Sequence, residues 1–410
     1  MIIITEIKEI SKRKSWNMKI LFVKSSHIRI AGMALALDRM GHEIIEYPES
    51  GEEIRADEEA EKRFGGFLSS RENEDLDFII SYVFSSAVAR QAHKRGIKYA
   101  VYGMDSPMYF TYEPVYPRLP ECYLFYFDYT EYTRVKQMGY TNAYYLPLAS
   151  DIIWTENLVV TDEEIAKHQC GISFIGGLYT DNLYDRVLHH FSQEMQDTFS
   201  DILESCAFCW DGTDRMAPLL TPRLIEDMKR SCPVIFENTY GLSEDYYVKQ
   251  QFFNRKLTNI ERTLLLELLA EQFALRLYTG EKEKAPKNVA RYPEADYLSD
   301  AFKIFFSGKI NLNITLRSIE SGIPLRVFDI MSVGGFVLSN YQKEMTQLFE
   351  EDKEIVLFRT PEELLDKAAY YLAHDNERLR IGLNGYRKVK EHYSYGCQMQ
   401  KLIGIITEGT

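Results

Sequence analysis

Short apolar runs alternate with helix-length segments along almost the whole chain, and that alternation leaves few folds open. Met18–Lys24 reads as a buried first strand, Ala31–Met40 as a helix stopped at Gly41, and His42–Tyr47 as the next strand. An acidic stretch from Glu49 to Glu74 reads as loop and exposed helix. Strands follow at Phe78–Val83, Lys98–Gly103, Cys122–Phe127 and Ala143–Leu148, with a helix through Arg95 ended by Gly96 between the first two. Wholly apolar strands joined by helical crossovers are the mark of parallel βαβ units, so this half is expected to be a doubly wound α/β domain.

The pattern restarts at Gly171–Tyr179, where a strand runs into Gly176-Gly177, glycines that let a backbone approach a ligand closely. Pro147–Gln169, acidic in its middle, reads as the linker. Tyr184–Phe273 is helical and too long for one crossover, so part of it reads as an insertion. Parallel units resume at Ala274–Thr279, Lys309–Thr315, Gly335–Asn340 and Ile355–Phe358. Thr360-Pro361-Glu362-Glu363 is a capping box opening a helix to about His374, and Asn376–Tyr393 forms another. The expected layout is a leader over 1–17, a first domain over 18–165, and a second over 166–393 with a helical insertion at about 184–273. A last helix occupies 394–410.

The richest segment is Lys309–Asn340. Asn311–Thr315 alternates polar with apolar residues, as a strand ending at a site does. Ser321-Gly322-Ile323-Pro324 reads as a helix start, with Gly322 free in φ and Pro324 suited to the first helical position. A helix N-terminus carries unpaired N–H groups and partial positive charge, a seat for phosphate. Arg326 and Asp329 lie three apart and so share a face: a cation for a diphosphate and a carboxylate for ribose hydroxyls. The same spacing also describes a plain ion pair on an exposed helix, with Gly334-Gly335 an ordinary helix stop.

Asp329-Ile330-Met331-Ser332-Val333-Gly334-Gly335-Phe336-Val337-Leu338-Ser339 resembles the nucleotide-sugar half of GT-B glycosyltransferases. That pattern runs carboxylate, apolar-Met-small, Gly, then an apolar strand ending in Ser. More narrowly, the run from Asn313 to Gln342 resembles bacterial spore-maturation-type glycosyltransferases, and the likeness extends over most of Met18–Tyr395. The resemblance implies two Rossmann-like domains facing a cleft, with the last helix, about Tyr395–Ile406, crossing back to the first. It implies that Asp329 binds ribose, that Arg326 contacts phosphate, and that Tyr278-Thr279-Gly280 sits at the nucleotide base. Gly176, Gly177, Arg317 and Gly322 fall at strand ends or helix starts and complete the donor-binding candidates. Enzymes of this class need no metal and no cofactor, the nucleotide-diphosphate-sugar being a substrate. One departure stands out. Many retaining members carry Glu-x7-Glu; here Asp329 takes the second place and Glu320 lies nine residues before it, so the first acidic role has no owner.

On the first domain, His27 follows the first strand and Asp105 follows the strand ending at Tyr102-Gly103. Some inverting GT-B enzymes use such a His as general base, oriented by an Asp, and the residue types suit that task. His27 reads equally well as a loop residue, and Asp105-Ser106-Pro107 as a turn; Tyr109–Glu113 holds the next candidates.

Composition excludes some partners. A net charge of −13 is the wrong sign for gripping a nucleic-acid backbone. Six cysteines in 410 residues make no disulfide framework, and Cys206-x-x-Cys209 lacks a second pair at zinc spacing, so reduced thiols in the cytoplasm are expected. No apolar run approaches the ~20 residues that span a bilayer. Met1–Asn17 lacks a signal-peptide core, and its Lys12-Arg13-Lys14 allows at most peripheral membrane contact. The expected function is sugar transfer from a nucleotide donor to a glycan, protein or small-molecule acceptor. The rivals are a nucleotide-sugar epimerase or hydrolase of the same fold, and a catalytically silent sugar-nucleotide-binding protein.

Overall fold

The computed structural model describes residues 17–24, 30–281 and 286–408. Two six-stranded sheets, each wholly parallel, form its two halves. The first contains β1 (Lys19–Val23), β2 (Glu43–Tyr47), β3 (Phe78–Ser81), β4 (Lys98–Tyr102), β5 (Cys122–Tyr126) and β6 (Ala143–Tyr145), in the order β2-β1-β3-β4-β5-β6. The second contains β7 (Cys170–Ile175), β8 (Leu275–Tyr278), β9 (Ala290–Tyr292), β10 (Gly308–Asn313), β11 (Val337–Asn340) and β12 (Val356–Phe358), in the order β12-β11-β10-β7-β8-β9. Helices cover both faces, which is why Ile20, Leu21, Phe22 and Val23 are all fully buried and read as one apolar run.

Chain order reverses once in each sheet, between β1 and β3 and between β7 and β10. Open α/β sheets bind ligands at the carboxyl ends of the strands at such a reversal. The segment after β1, which holds His27, lies outside the described residues.

Between β7 and β8 the chain forms mostly helices, the longest Gln193–Cys206, Pro222–Ser231 and Asn254–Gln272. They enclose their own core around Phe199, Met228, Phe252 and Phe253. Gly241 sits so close to the carbonyl of Tyr112 that a Cβ would lie 2.3 Å from it, so the insertion packs tightly on the first half. The acidic stretch after β2 forms two helices, Gly51–Ala56 and Glu58–Leu68.

The strand read at Asn311–Thr315 is buried throughout, its polar members included. Asn311, Asn313 and Thr315 are buried, and their polar groups are met internally: Ser173 donates to Asn311 at 2.7 Å, while the Asn313 amide donates to Ser339 at 2.9 Å. β9 was not foreseen, because its three residues are exposed or half-buried and carry no apolar run. The Thr360 box is only half made. Thr360 accepts from the Glu363 amide, but Glu363 accepts from the amide of Arg359 rather than from Thr360.

The two halves are joined twice beside one residue. Ser150 donates its amide to Tyr393 O (3.1 Å) and accepts from the Tyr395 amide (3.2 Å), so the outgoing and returning chains pair there. The last helix, Tyr395–Glu408, then packs on Ile30–Arg39 of the first half, and a single apolar core runs from Ile20 and Phe22 through Phe328 and Met331 to Met399 and Leu402. Among the described residues, no helix is long and apolar enough to cross a membrane.

Candidate functional site

A cavity of about 610 Å³ opens at the carboxyl ends of β7 and β8 and faces the first half. Gly176, Gly177, Tyr278, Arg326 and Asp329 all line it, with Met104 and Phe127 contributed from across the cleft. The helix Leu325–Ser332 presents its N-terminus there, with Pro324 as N-cap rather than first helical residue.

Each glycine has a specific reason. A Cβ on Gly176 would lie 2.5 Å from a guanidinium nitrogen of Arg326, and one on Gly177 would lie 2.9 Å from a carboxylate oxygen of Glu281. These positions are bare so that two charged side chains can lie against the strand end. Arg326 donates to Asn313 Oδ1 at 3.3 Å and lies 5.3 Å over the Phe174 ring. Tyr278 is buried with its ring 5.1 Å from that of Tyr292, so it walls the cavity with its body.

Asp329 is not the exposed carboxylate that the i,i+3 spacing suggests. It is only 2% exposed and accepts from the hydroxyls of Ser150 and Tyr297, each at 3.1 Å. Two of the roughly four acceptor positions of a carboxylate are thus used, and the bond from Ser150 ties the crossing segment to the second half. We expect Asp329→Ala to cost about 2 kcal/mol of stability, because the buried Ser150 hydroxyl and the half-buried Tyr297 hydroxyl each lose a bond. A urea titration of Asp329→Ala and Asp329→Asn, read beside donor affinity, separates this structural cost from any ribose contact.

Two predicted donor residues lie elsewhere. Gly322 is pressed against the first half, where a Cβ would lie 3.0 Å from both Asp128 Cα and the Phe127 ring. Its small size serves domain contact. Arg317 lines a different cavity of about 200 Å³, between the insertion and the ends of β10 and β11. Its guanidinium is committed to the fully buried carboxylate of Glu261 and to the carbonyls of Cys209 (3.0 Å) and Cys206 (3.4 Å). The Cys206-x-x-Cys209 pair therefore offers backbone to an arginine, and both thiols are free. Glu320 also faces this second cavity, paired with Arg134 and Lys249 at 2.5 Å each, and does not line the cavity that holds Asp329. Asp105 is exposed and lines a small separate cavity of about 60 Å³ with Pro107 and Tyr109, and its expected partner His27 lies outside the described residues.

The sequence did not point to the polar seam beside the cavity. Asp128 caps its own helix and also accepts from the amides of Glu320 (2.7 Å) and Ser321 (3.3 Å). The Ser321 amide, at the expected helix start, is thus spent on a domain contact. Glu344 accepts from the Tyr129 amide and the Ser321 hydroxyl, 2.8 Å each, and from Tyr145 at 2.5 Å. Burial, reinforced by Asp128, pushes the Glu344 carboxyl up to about 7, although its donors oppose the shift; burial beside Asp128 takes Glu131 to about 8. A carboxyl whose pKa rises on folding adds stability that is complete below its unfolded value near 4.5 and is lost as pH climbs through the folded value. Stability is therefore expected to fall by several kcal/mol, on the order of 1.4 kcal/mol for each pKa unit gained on folding, between about pH 5 and pH 8. Glu344→Gln should flatten part of that slope in denaturant titrations across the range; an unchanged slope would remove Glu344 from the explanation.

Comparison with known proteins supports the architecture. Residues 255–404 match the sequence model of a family described as glycosyl transferase-like. No curated protein sequence matches the chain. Among solved structures, a sucrose-phosphate synthase from Thermosynechococcus elongatus is similar at 8% identity and TM-score 0.55, over 96% of this chain and 100% of that one. Anabaena HepE, solved with UDP and glucose, is similar at 9% identity and TM-score 0.50, over 95% of this chain and 100% of that one. Two doubly wound domains facing a cleft, with a last helix returning to the first, make this the GT-B architecture.

Proposed function

We propose that the protein is a glycosyltransferase that moves a sugar from a nucleoside-diphosphate-sugar to a glycan, protein or small-molecule acceptor without a bound metal. The observation that carries this is the cavity at the ends of β7 and β8, where Arg326, a helix N-terminus and Asp329 converge at the point of strand reversal. The glycosyl transferase-like match over 255–404, which spans Arg326 and Asp329, and the UDP held by HepE support the same reading. The narrower placement among spore-maturation-type bacterial enzymes, and a cytoplasmic location, rest on the sequence.

In the proposed reaction an acceptor hydroxyl oxygen bonds to the anomeric carbon as the bond to the diphosphate breaks. Negative charge grows on the diphosphate, where Arg326 and the helix N-terminus at Leu325 oppose it. The acceptor proton needs a base from the first half. Our candidates remain His27, in the segment after β1, with Asp105, one residue beyond the cavity-lining Met104.

A thermal-shift screen against nucleoside diphosphates and their sugars, uridine diphosphate first, tests the donor half. A ligand at about 100 times its dissociation constant adds roughly 2.7 kcal/mol to stability. No shift with any nucleotide would overturn the proposal, and binding without turnover in the presence of glycan acceptors would favour the silent binding protein.

A further inference from the structure

The loop after β7 already holds an anion. The backbone amides of Leu178, Tyr179 and Thr180 all donate to the Glu281 carboxylate, the last two at 2.9 Å, and the Thr180 hydroxyl donates as well. Three successive amides aimed at one point form a nest, a backbone concavity that selects anions. Forming it puts Tyr179 at φ +58°, a left-handed conformation that a bulky residue adopts only where its surroundings hold it there. The buried guanidinium of Arg262, which donates to the carbonyls of Gly177 (2.6 Å) and Ile314, adds positive charge beneath the loop. Gly177 is bare on the side where the carboxylate lies. These donors hold Glu281 ionised, with its pKa below the ordinary carboxylate value even though burial pushes the other way.

We propose that the Leu178–Thr180 nest is an oxyanion seat for a donor phosphate, and that Glu281 is a built-in competitor that a nucleoside diphosphate must displace. The inference rests on the donor reading above, because Glu281 and Gly177, the residue just before the nest, line the cavity assigned to the nucleotide-sugar. A phosphate oxygen matches the carboxylate in charge and acceptor geometry and offers more acceptor positions, so exchange preserves every bond the loop makes. Glu281 filling the seat lowers apparent affinity by the fraction of molecules whose seat is occupied. It also keeps the four donors paired when no ligand is bound, so the strained loop does not relax.

The test is calorimetric titration of the full chain with uridine diphosphate and, separately, with inorganic pyrophosphate. Glu281→Ala is compared with Glu294→Ala, which removes an equal charge from the same cavity wall without touching the nest. Glu281→Ala is expected to bind both ligands about tenfold or more tightly than the unaltered protein, and Glu294→Ala to change both by at most about twofold. Pyrophosphate binding that is unchanged or weaker in Glu281→Ala would overturn the proposal, as would an equal gain in the two variants. If uridine diphosphate binds neither protein while pyrophosphate binds Glu281→Ala more tightly, the seat stands and the nucleotide-sugar function falls. If uridine diphosphate binds the unaltered protein and Glu281→Ala leaves it unmoved, the function stands and the seat falls. Should Glu281→Ala fail to fold, Glu281→Gln, whose amide oxygen still accepts from the loop, is expected to shift affinity in the same direction.

Discussion

Arg317→Ala is expected to destabilise the protein by about 3–5 kcal/mol, because it strands a fully buried carboxylate. Glu261 lies inside the long helix Asn254–Gln272 and also accepts from the Phe208 amide at 2.9 Å, so it cannot turn to water without unwinding its surroundings. Loss of the guanidinium frees the carbonyls of Cys206 and Cys209 and its stacking on Trp210, 5.3 Å away. Glu261→Ala should cost a similar amount for the mirrored reason. The double variant Arg317→Leu/Glu261→Met should then recover much of the loss, since apolar groups of like volume replace a buried pair at little cost. Denaturant titrations of the three variants check this; a loss below about 1 kcal/mol in Arg317→Ala would mean that water reaches Glu261. Donor affinity of whatever folded protein remains should be untouched, which distinguishes Arg317 from Arg326.

Arg326→Ala is expected to weaken nucleoside diphosphate binding by about 2–3 kcal/mol while barely changing the affinity for the free nucleoside. The guanidinium lies against Gly176 in the cavity wall and donates to Asn313 Oδ1 at 3.3 Å. There it can meet a diphosphate that enters the cavity. Arg326→Lys should recover only part of the affinity, because an ammonium cannot make the paired contacts of a planar fork. Equal losses for diphosphate and nucleoside would place Arg326 in a structural role.

Most strands of the two sheets were legible in the chain because parallel strands buried on both faces leave unbroken apolar runs. Arg326 and Asp329 were legible because three-residue spacing at a helix start puts them on one side, and both line the cavity. What escaped depended on partners distant in sequence. Arg317 looks like a strand-end cation until Glu261, 56 residues earlier, claims it. Gly322 looks like a hinge in φ until Asp128 of the other half fills the space beside it. Glu281 is one acid in a charged stretch, and only the fold brings it to the Leu178–Thr180 amides about a hundred residues away.

The central claim is that the cavity at the ends of β7 and β8 holds the donor. A crystal structure of the protein soaked with the nucleoside diphosphate that gives the largest thermal shift tests this most directly. The account predicts the diphosphate between the Gly176–Thr180 loop and Arg326, with the ribose toward Asp329 and the base near Tyr278-Thr279-Gly280. A nucleotide bound instead in the second cavity, against Trp210, Lys249 and Arg317, would contradict it.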